Sequence, residues 1–335
     1  ETIPNREFLY FGQNPLGYLP PQYVPWTAFA LFFIAVGQTF IPWNLSAVYG
    51  FAHIPIIGSP LGHWLAPAGM LTLIVLVTCI ALPRLRKTPV GIGALVFLIL
   101  YFPFSKVLFY HGIDFFAERW LYAPSLGLSM MAGYVGWLVW SKLRSWAPVL
   151  FTAVVVAYLF VLVPRNFDWR NEIALGESMV RDAPNSVIGY VFLGNKRLQY
   201  GQLEEASNLV TTGLRITRDH MPIHHIAASV AMSIGRMDVA EQAISTAEQL
   251  SIDDLSNVII RATFLAKQHR YEESLAHLRG SRWFLEYEPR TRMLLALNLW
   301  MLDRHEEAKQ YFDWDRFSPG IKMTDDEKIF MFETY

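Results

Sequence analysis

Apolar residues follow two different patterns along this chain, and the change falls near residue 165. Before it, runs with no Asp, Glu, Lys or Arg in their interiors cover residues 26–43, 64–82, 89–104, 120–140 and 147–164. A helical residue rises about 1.5 Å, so roughly 20 apolar residues cross a bilayer core. Each run is that long or nearly so, and each is expected to be a membrane helix. The first is the weakest: Gln38 and Pro42 also suit a re-entrant or interfacial helix. Beyond residue 165 charged residues return at the density of an ordinary soluble domain. The pattern therefore predicts an all-α chain: a loop at 1–24, a multi-span transmembrane helical domain at 25–165 and a soluble α-solenoid at 166–335.

Composition sharpens this division. Residues 24–163 hold only seven basic side chains (Arg84, Arg86, Lys87, Lys106, Arg119, Lys142 and Arg144) and two acids, Asp114 and Glu118, of the 28 and 29 in the chain. Five of the seven cations fall in alternate short loops, after the second run and after the fourth. The bias of basic loops toward the cytoplasm puts those loops inside and residues 44–63, 105–119 and everything after Pro164 outside. A net charge of −1 offers no basic stripe for phosphate backbones, so nucleic acid is not expected as a partner. Cys79 is the only cysteine, which excludes an intrachain disulfide and a cysteine-based metal cluster. A start at Glu1 and an end in a helical-looking stretch suggest a piece of a longer protein.

The polar half repeats itself. Ala206 (in LEEAS), Ala240 (MDVAE), Ser274 (YEESL) and Ala308 (HEEAK) are small residues spaced 34 apart. Twelve positions before each stands another small residue, Gly194, Ala228, Ala262 and Ala296, and four positions after each an apolar one, Val210, Ile244, Leu278 and Phe312. This is the tetratricopeptide (TPR) pattern, in which small residues let the two helices of a hairpin approach and larger ones fill the seam between hairpins. Four repeats are expected, at about 187–220, 221–254, 255–288 and 289–322, with Gly201 and Gly235 as turn residues. A half repeat at 169–183, closed by Pro184, precedes them. The inner helices should line a concave face with Val191, Asn195, Gln199, His225, Ser229, Met232, Thr263, Lys267, Met293, Leu297 and Trp300, a mixture suited to an extended peptide. Asn195 is the best single contact.

The loop before the fourth run is more specific. SKVLFYHGIDFFAERWLYAPSLGL at 105–128, with AERWLYAPS at its centre, resembles the signature of the transmembrane and tetratricopeptide-containing O-mannosyltransferase family and its bacterial relatives. FIPWNLSAVYGFAHIPI at 40–56 is similar to that family's Leu-Ser-Ala-Asp-Tyr-Ser…Ile-Pro loop, and Asn14-Pro15 and NFDWRNE at 166–172 fall in the same order. The resemblance implies a GT-C type glycosyltransferase. Such an enzyme takes a sugar from a polyprenyl-phosphate carrier, which is a substrate and not a cofactor, and works on the extracytoplasmic side, in a periplasm or endoplasmic-reticulum lumen. Such an enzyme has no nucleotide site, and neither a cofactor nor a metal is expected here. The repeats would then present a protein acceptor. Two positions depart from the family: Val48 stands at the acidic position of the Leu-Ser-Ala-Asp-Tyr pattern, and residues 1–24 hold only Glu1 and Glu7 where an acidic first outer loop is implied.

Transfer from a lipid phosphate needs a carboxylate for the acceptor hydroxyl, a cation for the departing phosphate and an apolar groove for the tail. Arg119 is the leading cation, because a guanidinium at a span boundary can fork onto phosphate oxygens; the alternative is that it snorkels to headgroups. Lys106 is a second phosphate partner, and Tyr122 is placed on the same helix and mouth. Glu118 is a candidate to orient Arg119 or bind the acceptor, or a local ion pair holding the loop. His111, Asp114 and Ser125 are further mouth residues, while Tyr49, His53 and Asn44 are expected to shape the fold more than to touch substrate. A non-enzymatic membrane-anchored TPR scaffold and an accessory subunit to a separate catalytic chain are the other readings. Three signals are set aside. His220, His224 and His225 are interrupted by Pro222 and lack carboxylates for a metal. Gly91 and Gly93 lack the further glycine of a dinucleotide fingerprint. The sequon Asn44-Leu45-Ser46 abuts a span.

Overall fold

A computed structural model describes residues 14–18, 20–42, 45–50, 53–107, 115–251, 254–281 and 289–311. The chain divides into two compact units, Glu1–Leu193 and Gly194–Tyr335. Among the described residues every regular element is helical, and one isolated bridge joins Tyr49 to Phe116.

The first unit holds α1 (Tyr23–Phe40), α2 (Leu65–Ala81), α3 (Pro89–Tyr101), α4 (Ser125–Lys142), α5 (Ala147–Asp168) and α6 (Glu172–Asp182), and most of α7 (Val187–Gln199). Prolines set several of the ends. Ile41 before Pro42 and Leu82 before Pro83 turn extended, which stops α1 and α2. Thr88 is extended ahead of Pro89, which opens α3 at a first-turn position where no amide hydrogen is needed. All five apolar runs are thus helical, with one shift: α4 begins at Ser125 and not near 120, because Glu118–Leu121 winds as a separate 3-10 turn and Pro124 caps the helix. Among the described residues, α1 and α5 are the two helices able to cross a membrane by length and apolarity alone, while α2 and α3 with its 3-10 extension are apolar but shorter. Pro164 lies inside α5 without ending it.

Glycine sets how closely α1 to α4 pack. A Cβ on Gly69 would sit 1.9 Å from the Phe29 carbonyl oxygen, and one on Gly93 or Gly127 would meet the other's carbonyl oxygen at 2.4 and 2.3 Å. These backbones touch, so larger residues cannot enter. Around them lies one aromatic-rich core of Phe32, Tyr49, Phe97, Tyr101, Phe115 and Phe116.

In the second unit α8 (Leu203–Ile216), α9 (Met221–Ser233), α10 (Met237–Leu250), α11 (Leu255–Lys267), α12 (Tyr271–Gly280), α13 (Pro289–Met301) and α14 (His305–Tyr311) follow the rest of α7. The 34-residue register holds wherever the structure describes it. Ala206, Ala228, Ala240, Ala262 and Ser274 are fully buried, and Ala296 and Ala308 nearly so. Val210, Ile244 and Leu278 are buried behind them, and Phe312 lies outside the described residues. Ser274, alone among the small positions in carrying a hydroxyl, donates to the Ala262 carbonyl at 2.8 Å and accepts from Asn298 Nδ2 at 2.9 Å. Pro222 does not interrupt α9, contrary to the sequence reading: it occupies the first turn, with His224 and His225 within the helix.

Candidate functional site

The residues of the AERWLYAPS segment and of the 40–56 loop meet in the first unit. Glu118 Oε1 accepts hydrogen bonds from the Tyr49 hydroxyl at 2.6 Å and from the Ser46 backbone N–H at 2.9 Å, across some 70 residues of chain. The same hydroxyl accepts from Gln38 Nε2 of α1 at 2.9 Å and from the Ser46 N–H at 3.0 Å. Ser46 Oγ donates to the Val48 carbonyl at 3.0 Å, which holds the turn that presents Tyr49. The Tyr49 ring is 1% exposed, edge-on to Phe116 and 4.5 Å from the His53 ring. Burial and the adjacent Glu118 carboxylate push the Tyr49 phenol well above its ordinary range, so it stays a protonated donor. Glu118 therefore clasps two loops together. Gln38, read from sequence as a weak point of the first span, supplies part of that clasp.

The cations sit beside it. Lys106 is 4% exposed, with its ammonium 4.8 Å from the centre of the Trp120 ring, and Trp120 also stacks on Phe104. Its backbone takes a left-handed φ of 61°. Ser105 and Val107, on either side of it, line a cavity of about 470 Å³ walled by Pro21, Val24, Phe29, Phe32, Leu98 and Phe102. The cavity is almost wholly apolar and lies among α1, α2 and the end of α3. Arg119 is exposed on the 3-10 turn next to Trp120. Tyr122 departs from its expected place: the helix it was assigned to starts three residues later, and its side chain is 87% exposed. Ser125 bonds the Tyr122 carbonyl at 2.8 Å. His111, Asp114 and Asn44 lie outside the described residues.

On the inner helices of the second unit, Asn195, Gln199 and Lys267 are exposed, and Ser229, Thr263, Met293 and Leu297 are half-buried. Trp300 packs on His305 with ring centres 4.2 Å apart. Met232 does not reach the face; it is buried in the core with Ala228, Ile244 and Phe264. His225 Nε2 lies 2.6 Å from Asn257 Oδ1. Both Asn257 amide hydrogens go to the Ala247 and Ser251 carbonyls, so Oδ1 can only accept and the neutral ring must carry its proton on Nε2. Asn257 was not singled out from sequence. An asparagine three positions into a helix carries no signal until its neighbours are known. Among the described residues no cluster of His, Cys, Asp and Glu is arranged to hold a metal.

No protein-family profile matches the chain. Two curated proteins of Drosophila melanogaster are similar to it. Protein O-mannosyl-transferase Tmtc2 is 34% identical over 146 residues, which is 42% of this chain and 15% of Tmtc2. Over these residues the chain is similar to part of the Tmtc proteins. Protein O-mannosyl-transferase Tmtc1 is 35% identical over 133 residues, 38% of this chain and 15% of Tmtc1. The matched part thus spans about 15% of the length of either relative. Among solved structures, YrrB, described as a TPR protein with an unusual peptide-binding site, aligns with 48% of this chain and 80% of its own at 13% identity and a TM-score of 0.33.

Proposed function

We propose that this Tmtc-like chain is part of a multi-pass GT-C type glycosyltransferase that moves a sugar, mannose by its relatives' names, from a polyprenyl-phosphate carrier to a protein acceptor. The observation that carries the reading is an apolar cavity of about 470 Å³ beside the buried Lys106, which separates two of its lining residues in sequence and has its ammonium over Trp120. A prenyl phosphate is that combination in a ligand: a long apolar tail ending in an anion. In this reading the tail occupies the cavity, Lys106 and Arg119 neutralise the phosphate as the bond from sugar to phosphate oxygen breaks, and the acceptor hydroxyl attacks the anomeric carbon and gives up its proton to the departing phosphate. We assign no general base to the described residues. Glu118 already accepts two hydrogen bonds and holds the loops, which suits a positioning carboxylate better than a proton acceptor. Helices α1 to α5 lie in the bilayer, and the repeats are extracytoplasmic and hold the acceptor along the face bearing Asn195, Gln199, His225, Ser229, Lys267 and Trp300.

The test is transfer of radiolabelled mannose from polyprenyl-phosphate-mannose to protein by membranes containing the intact gene product. Lys106→Ala and Arg119→Ala are each expected to lower turnover tenfold or more, the scale of losing one charge-stabilising contact, while circular dichroism shows the repeats still folded. Undiminished transfer in both variants sinks this assignment of the donor site.

A further inference from the structure

The two basic turns of the first unit converge. The Cβ position of Gly93 on α3 touches Met131 of α4, and that of Gly127 touches Phe97, so the two helices run antiparallel. The turn before α3 and the turn after α4 therefore lie at the same end of the bundle. The first carries Arg84, Arg86 and Lys87, and the second Lys142 and Arg144; all five are exposed, and neither turn contains an acidic residue. None of the five forms an ion pair among the described residues. Apolar side chains flank them and stay uncovered: Trp137, Trp140 and Trp146 are 61%, 48% and 66% exposed, and Leu82 and Leu143 46% each. Indole rings beside unpaired cations at a helix end are the composition of a bilayer interface, where the ring sits at headgroup level and the cation reaches phosphate.

We infer that this end of the bundle is a docking surface for anionic phospholipid headgroups, formed jointly by the α2–α3 and α4–α5 turns. The inference rests on the membrane reading above but is separable from it. Charge complementarity picks the occupant: five cations without a counter-charge favour a negatively charged headgroup over a zwitterionic one, and each basic residue near such a surface is worth about fivefold in association. The exposed tryptophans favour a lipid over a free anion, because they supply apolar area that a dissolved phosphate does not use.

The experiment reconstitutes the whole chain in phosphatidylcholine vesicles and measures association of spin-labelled phosphatidylglycerol relative to spin-labelled phosphatidylcholine. The expected result is a preference of about fivefold or more for the anionic lipid. It should fall near unity in the variant Arg84→Gln, Arg86→Gln, Lys87→Gln, Lys142→Gln, Arg144→Gln, and shrink in high salt. Should that variant lose its helical circular dichroism, Lys142→Gln with Arg144→Gln alone is expected to lower the preference measurably. Equal association of the two lipids, or a preference unchanged in the variants, overturns the inference. So does displacement of the anionic lipid by inorganic phosphate at an ionic strength where chloride has no effect, which marks a free-phosphate site. Vesicle flotation separates the two readings: a chain that floats with the vesicles but shows no lipid preference sinks only this surface, and one that does not float sinks the membrane reading with it.

Discussion

At the scale of single residues, the first unit turns on one hydroxyl. Tyr49 donates to Glu118 and accepts from Gln38 and the Ser46 backbone, so its oxygen ties α1, the 46–49 loop and the AERW turn together. Replacing it with phenylalanine keeps the ring against Phe116 and His53 but removes one of the two donors to a partly buried carboxylate and the acceptor of the Gln38 amide. Hydrogen bonds to charged groups are worth about 1.5–3 kcal/mol. Tyr49→Phe is therefore expected to cost about 2 kcal/mol of stability in urea unfolding of the reconstituted chain, and Tyr49→Phe combined with Glu118→Gln distinctly less than the sum of the two. An additive pair would show that the clasp is not one energetic unit. A fold-shaping role for Tyr49 is the expectation from its place in the loop motif. Its partner was not legible, because 69 residues separate it from Glu118 and nothing in either local pattern points to the other.

At the scale of elements, each repeat turns its chain back through one left-handed residue, and the four positions keep the 34-residue period: Gly201, Gly235, His269 and Asp303, with φ of 72°, 77°, 60° and 58°. The two glycines were visible as turn signals. The other two were not, since histidine and aspartate adopt this conformation more often than most side-chain-bearing residues but far less than glycine, and only the register reveals that they inherit it. Left-handed backbone costs a side-chain-bearing residue about 1–2 kcal/mol. His269→Gly is expected to raise stability by about 1 kcal/mol, read as a higher urea midpoint at unchanged slope; the ring's contact with Tyr271 is the compensating loss, and a lower midpoint would mean that contact dominates. The α8–α9 turn carries a second element-level effect. His220, 3% exposed at the N-cap of α9, has its pKa lowered to about 4 by burial first and then by His224 and His225. The unfolded chain, with an ordinary value near 6.5, binds that proton more tightly than the folded one. Stability from this group is thus complete above about pH 6.5 and is lost as pH falls toward 4, by up to about 1.4 kcal/mol per pH unit. Unfolding midpoints at pH 7 and pH 5 should differ in the wild type and differ less in His220→Gln. An undiminished difference in the variant would move the effect to another group.

At the scale of the whole molecule, the proposed membrane reading makes a prediction about the side the repeats occupy, and the charges of the loops set its direction. Helix α5 has 22 residues, about 33 Å at 1.5 Å per residue, enough to cross a hydrocarbon core of about 30 Å. Only 6% of its apolar window is buried, and it carries Leu150, Phe151, Val154, Phe160 and Val163 uncovered, so it has the surface of a helix solvated by lipid. The turn at its start holds Lys142 and Arg144, which the cytoplasmic bias of short basic loops places inside. On the reading proposed above, one crossing would then deliver the chain outside at Arg165, with everything beyond it. Because Cys79 is the only cysteine, the prediction can be read with one introduced thiol: Asn208→Cys, exposed on α8, in a Cys79→Ala background. In intact cells or sealed microsomes oriented as in the cell, a membrane-impermeant maleimide should label it only from the extracytoplasmic side. A control cysteine at Ser145, in the basic turn, should label only from the cytoplasmic side. Reversed labelling of the pair would invert the orientation and take the acceptor-binding role of the repeats with it. Labelling of both from one side would instead show that α5 does not cross, leaving its apolar surface to be covered by protein.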